Sequence, residues 1–173
     1  MKKILTLIAA LLISETYADK IEVYNNTNYD LSYNITTHDI SGNPYPYLQS
    51  SGTSTLVTLN SWSSAVYDNN LSGTFPFYSP LTTPPINTWG RYIAAGYPAI
   101  DTPSNIAQNI YGTSQTFAKF KFLFAGTSFS ANVGPLGYAD FDAIYDPTTS
   151  ISIQYFEGFD GTNTVYYILA DEI

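Results

Sequence analysis

Residues 118–124 read A-K-F-K-F-L-F, with aromatic rings at every second position and lysines between them. An extended strand turns that spacing into two faces, Phe120, Phe122 and Phe124 on one and Lys119 and Lys121 on the other; a helix would scatter them. The same period of two recurs in Ile21 and Val23, in Tyr29, Leu31, Tyr33 and Ile35, and in Thr55, Val57 and Leu59. It returns in Phe129, Ala131 and Val133, in Ala139, Phe141, Ala143 and Tyr145, in Ile151, Ile153 and Tyr155, and in Val165, Tyr167 and Leu169. These residues are the expected core face. Gly134-Pro135, Asp146-Pro147 and Asp160-Gly161 are turn dipeptides between the runs. The C-terminal half therefore reads as an antiparallel meander, its last pair, residues 150–156 and 163–170, joined through Asp160-Gly161. Many short alternating strands with spaced turns predict an all-β chain, an antiparallel β-sandwich.

Residues 76–115 break the pattern. Pro80, Pro84, Pro85, Pro98 and Pro103, with Gly90 and Gly96, are too dense for central strands, because each proline removes a ladder donor. A long Pro/Gly-rich loop region is expected in the middle of the chain. A turn or two of helix is expected from Ser104, a natural N-cap, with Ile106 and Ile110 sharing a face.

The N-terminus carries a different signal. Lys2 and Lys3 precede the apolar residues 4–13, and Ala18 follows as a small residue. Charge, apolar run and small residue in that order predict a cleaved signal peptide over residues 1–18, short and of bacterial type. The run is well below the ~20 residues of a membrane span. Residues 19–173 then form one domain with no transmembrane segment, secreted or periplasmic. There is no cysteine, so disulfides, a lipidated cleavage site and thiolate zinc sites are excluded and core packing must hold the fold. Aromatics at 16% outweigh charged residues at 12%, the reverse of a disordered chain. Loss of Lys2, Lys3 and Glu15 makes the formal charge one unit more negative than the −8 of the whole chain, leaving Lys20, Arg91, Lys119 and Lys121 as cations. So few cations argue against a nucleic-acid partner and against electrostatic binding to anionic lipid.

Four sets of residues carry candidate chemistry. His38 is the one histidine, beside Asp39 in a Gly/Asn/Pro-rich stretch; with no cysteine and no G-x-S-x-G elbow it reads as a loop residue. Asp140 and Asp142, two apart on an expected strand, would stand ~7 Å apart, a separation glycosidase carboxylates use. Asp140, Asp142 and Asp146 also offer hard oxygen ligands for calcium, as do Glu157 and Asp160, although no EF-hand loop is present. No other cofactor is expected. Trp89, Arg91, Tyr92 and Tyr97 gather in the Pro/Gly-rich middle, where flat rings with a polar tip suit a sugar or protein ligand. The competing reading is that Trp89 and its neighbours tack the loop onto the sandwich. Tyr45 and Tyr47 flank Pro46, and Trp62 sits between serines, as further exposed aromatics. Asn25, Asn34 and Asn70 begin N-x-[ST] triplets, read as chance matches in an Asn/Ser/Thr-rich chain.

The stretch I-E-V-Y-N-N-T-N-Y-D-L-S-Y, residues 21–33, resembles the first strand pair of several small secreted β-sandwich families, aegerolysins and actinoporin-like lectins and cytolysins among them. The likeness is a strand, an N-x-T turn and a strand. It implies a sandwich and admits membrane activity. The expected function is an exported, non-catalytic binding protein with a carbohydrate or protein ligand on aromatic loops. The alternatives are a membrane-active β protein or small outer-membrane barrel, and a glycosidase-type hydrolase using Asp140 and Asp142.

Overall fold

The computed structural model describes residues 20–50, 56–68, 75–77, 82–161 and 164–173. The expected signal peptide, Thr55, Asn70 and Pro80 lie outside them. In chain order the elements are β1 (Lys20–Asn26), β2 (Leu31–Asp39), β3 (Tyr47–Ser50), β4 (Val57–Leu59), β5 (Ser63–Asp68), β6 (Thr88–Tyr92) and β7 (Ile100–Pro103). Then follow α1 (Ser104–Tyr111), β8 (Gln115–Phe124), β9 (Ser130–Val133), β10 (Ala143–Asp146), β11 (Ile151–Phe159) and β12 (Thr164–Glu172).

They make two packed sheets, as the alternation predicts. One runs β10-β11-β12-β1-β5; the other runs β7-β6-β3-β2-β8-β9, with β4 also pairing β2. These are open sheets with edge strands, unlike the single closed sheet of an outer-membrane barrel. Pairing is antiparallel with one exception: β1 lies parallel to β12, Ile21 opposite Tyr166 and Val23 opposite Ile168. The first described strand therefore sits inside its sheet, between β12 and β5.

The core lies between the sheets. Phe120, Phe122 and Phe124 are buried in it and Lys119 and Lys121 face outward, as β8 predicts. Each buried phenylalanine contributes roughly 1.5–3 kcal/mol relative to exposure. Ile151 and Ile153 of β11 also point inward as expected. Two phases are reversed. In β12 the core cluster takes Tyr166, Ile168 and Ala170; of the expected Val165, Tyr167 and Leu169, Val165 is buried outside that cluster and the other two are half-buried. Tyr167 instead stacks on Phe156 of β11, ring centroids 5.0 Å apart. In β10 the core-packed residue is Ile144, opposite Ile153, while Ala143 and Tyr145 are exposed.

The Pro/Gly-rich middle holds more order than its prolines suggest. β6 contains none and β7 is an edge strand that ends at Pro103, the placements a proline tolerates. α1 begins where expected, but Ser104 is its first residue rather than its cap, and its hydroxyl donates to the Ile86 carbonyl at 2.6 Å. Ile106 and Ile110 are exposed; Ser104, Ala107 and Gln108 are the residues the helix buries.

A polar bridge crosses the core. The Tyr33 and Tyr67 hydroxyls, from opposite sheets, meet at 2.6 Å, and Tyr67 donates on to the Pro84 carbonyl at 2.8 Å. Burial pushes both hydroxyls above the usual phenol range. Tyr67→Phe strands the Tyr33 hydroxyl and the Pro84 carbonyl together, so it should destabilise by about 1–3 kcal/mol, against about 1 kcal/mol for Tyr33→Phe. Urea unfolding of the two variants tests this order; equal losses would mean the hydroxyls act independently.

Candidate functional site

The outward face of the larger sheet carries a polar row across four strands. Gly90, Gln49, Thr36 and Lys119 stand opposite one another in turn on β6, β3, β2 and β8. The next row pairs Asn34 with Lys121 and Lys121 with Asn132. Gln49 donates to the Asn34 side-chain oxygen at 3.1 Å, which ties the rows together. Above them opens a cleft of about 470 Å³ with Thr36, Gln49, Lys119 and Lys121 in its floor.

A β-bulge shapes this floor. Thr36 faces Lys119 and Thr37 faces Phe117, leaving Ala118 as the extra residue in β8. A bulge bends its strand and sharpens the local twist, and both Thr37 and Ala118 line the cleft. The distortion is held from below. Thr37 donates to Gln115 at 2.7 Å and accepts the Leu48 amide at 3.0 Å, while Gln115 donates to the Pro46 carbonyl at 2.9 Å.

Two loops form the walls. Gly42, Asn43 and Pro44 line one side, in a turn where Asp39 accepts the Ser41 amide at 2.7 Å. The loop between β9 and β10 brings Tyr138 to the other, stacked on His38 with centroids 3.7 Å apart and planes 13° from parallel. Gly134 lets that loop leave β9 tightly, since a Cβ there would meet the Ala118 carbonyl oxygen at 2.8 Å. His38 also contacts the Asp39 carbonyl through Nδ1 at 3.0 Å, and partial burial pushes its pKa below the ordinary imidazole value. Tyr47 lines the cleft and continues into an aromatic row, stacked on Tyr92 at 4.5 Å and tilted against Tyr45 at 5.7 Å.

The four expected ligand-binding residues do not form one site. Trp89 is fully buried, edge-on to Phe75 and Phe77, and donates its indole N–H to the Phe77 carbonyl at 2.8 Å. It anchors the fold and is out of reach of a ligand, because alternation along β6 points it inward with Ser50 and Thr102. Arg91 shares that side and donates to the Tyr111 hydroxyl at 2.9 Å. Tyr92 joins the aromatic row beside the cleft. Tyr97 is 64% exposed on a turn and is not part of the cleft lining.

The aspartates are likewise kept apart. Asp140 and Asp142 precede β10 on an irregular segment, with Phe141 exposed between them, so the strand spacing expected of a carboxylate pair does not apply. Asp140 accepts from Asn132 at 2.6 Å, and Asp146 caps the next turn through the Thr149 hydroxyl at 2.7 Å and the amides of Thr148 and Thr149. The Thr149 hydroxyl, ahead of the turn amides, holds the Asp146 carboxyl below its usual range. Glu157 accepts from Tyr155 at 2.5 Å and Asp160 pairs with Lys20 at 2.7 Å. Among the described residues no three His, Cys, Asp or Glu side chains group to hold a metal. Asn25 and Asn34 are buried with their amides donating to backbone carbonyls, which leaves neither a glycan's exit.

Of the cleft residues, His38 is expected in a loop but stands on β2, and the sequence reading gives Lys119, Lys121 and Tyr138 no part in a site. One signal was present: two of the few cations stand two apart on the polar face of the clearest strand. No family model, curated protein or solved structure matches the chain.

Proposed function

We propose that this chain is an exported, non-catalytic binding module and that its ligand is a saccharide held in the cleft between Tyr47 and Tyr138. One observation carries the reading. Stacked rings stand over a floor of amide, hydroxyl and ammonium groups, the combination that takes a sugar's apolar face and its hydroxyls together. Export is supported by the Lys-apolar-Ala order of residues 1–18. Among the described residues no helix is long and apolar enough to cross a membrane.

The test is a glycan array followed by calorimetric titration of any hit. Tyr47→Ala and Tyr138→Ala should each weaken binding about two- to tenfold, from the ~0.5–1.5 kcal/mol of a ring contact. Tyr97→Ala should leave it unchanged. An empty array with the fold intact, or binding indifferent to both cleft tyrosines, would sink the proposal. A protein ligand is the second reading, favoured by Ile106 and Ile110, which are 44% and 57% exposed on α1.

A further inference from the structure

We propose that the cleft selects acidic saccharides, with Lys119 and Lys121 holding a carboxylate, sulfate or phosphate on the sugar. The inference rests on the saccharide reading above and adds the ligand's charge class.

The distribution of cations supports it. Lys20 is paired within the chain, bridging Glu22 at 2.9 Å and Asp160 at 2.7 Å. Arg91 is turned inward onto Tyr111. Lys119 and Lys121 both line the cleft, and among the described residues neither makes an ion pair. On one strand face their Cα atoms stand ~7 Å apart, and two flexible four-carbon stems can converge from there on one anionic group.

Asp39 and Asp140 make hydrogen bonds to neutral groups and are not among the residues that line the cleft. Asp39 accepts the Ser41 amide at 2.7 Å and lies 3.5 Å from the Asn43 amide nitrogen. Asp140 is locked to Asn132 twice, accepting at 2.6 Å and donating its backbone N–H at 2.8 Å. The chain as a whole carries −8, which would repel an anion. At physiological ionic strength that field fades over ~8 Å, so distant carboxylates weigh less on a bound anion than the two lysines that line the cleft. A neutral sugar would need only the rings and amides. Two unpaired ammonium groups add a recognition element that only a negatively charged ligand uses.

The experiment compares oligogalacturonate with its methyl ester, which has the same rings without the charge, together with sulfated, phosphorylated and neutral oligosaccharides. Binding is titrated at 0.15 M salt on the full-length folded protein and on Lys119→Gln/Lys121→Gln, with circular dichroism and melting as fold controls. At least one acidic saccharide should bind tenfold or more tightly than its neutral counterpart, and the double variant should lose that preference. Lys121→Gln alone, at the more exposed position, should lose part of it. Neutral sugars binding as well as acidic ones, or a preference that survives the double variant, overturns the charge inference and leaves the saccharide reading standing. If no saccharide of either kind binds, both are overturned.

Discussion

Trp89→Ala should lower the unfolding free energy by about 3–5 kcal/mol, the loss expected for emptying a buried indole site. Three contributions add. The ring is fully buried, so its whole apolar area returns to a void. Its edge-on contacts with Phe75 at 6.2 Å and Phe77 at 5.1 Å disappear. The Phe77 carbonyl, which accepts the indole N–H at 2.8 Å, loses its partner in a dry environment. Trp89→Phe keeps much of the volume and drops that donor, so it should fall between wild type and alanine. Against a typical margin of 5–15 kcal/mol the alanine variant approaches the unfolding threshold. Guanidinium unfolding followed by circular dichroism measures the loss. A value below 1 kcal/mol would show that the Phe75–Phe77 segment holds without this anchor.

Asn25→Asp is nearly isosteric and should cost about 3 kcal/mol or more at neutral pH. Asn25 is fully buried. Its amide nitrogen donates to the Tyr29 carbonyl at 2.8 Å and the Asn60 carbonyl at 2.9 Å, and its oxygen accepts the Thr27 hydroxyl at 2.8 Å. One side chain thereby joins the end of β1, the turn after it and the turn between β4 and β5. A carboxylate reverses the donor side: two carbonyls lose their partners and a charge is buried without a counter-ion. The sign with pH follows. The introduced carboxyl has a folded pKa above its unfolded value of ~3.9, so the variant is least impaired below that pH and loses stability as pH rises through the folded pKa. Urea midpoints between pH 3 and pH 8, taken relative to wild type, check this. A difference that shrinks with rising pH would contradict it.

Strand content and the sandwich were legible because β8 and β11 contrast their two faces sharply. β12 did not offer that contrast. Residues 165–170, V-Y-Y-I-L-A, are apolar in both phases, so local pattern cannot choose between them. The choice is made by neighbours: β11 places Ile153 opposite Ala170, and β1 places Val23 opposite Ile168. Trp89 misleads for a related reason. Proline density around it suggests a loop, yet the five residues of β6 contain no proline and pair on both edges. The cleft was illegible as a unit. His38 and Tyr138 are distant in sequence, and their rings meet only in the fold, beside the bulge at Ala118 and after the tight exit at Gly134.

The parallel seam between β1 and β12 gives the smaller sheet a long-range closure. The first described strand finds its neighbour on one side early, in β5, but its other edge waits for residues 164–172. The hydrogen-bond ladder through the centre of that sheet therefore joins segments from near the two ends of the described residues. Such long-range closure makes for slow folding. Until residues 164–172 have been delivered, that edge of β1 therefore stays unpaired and the smaller sheet stays incomplete.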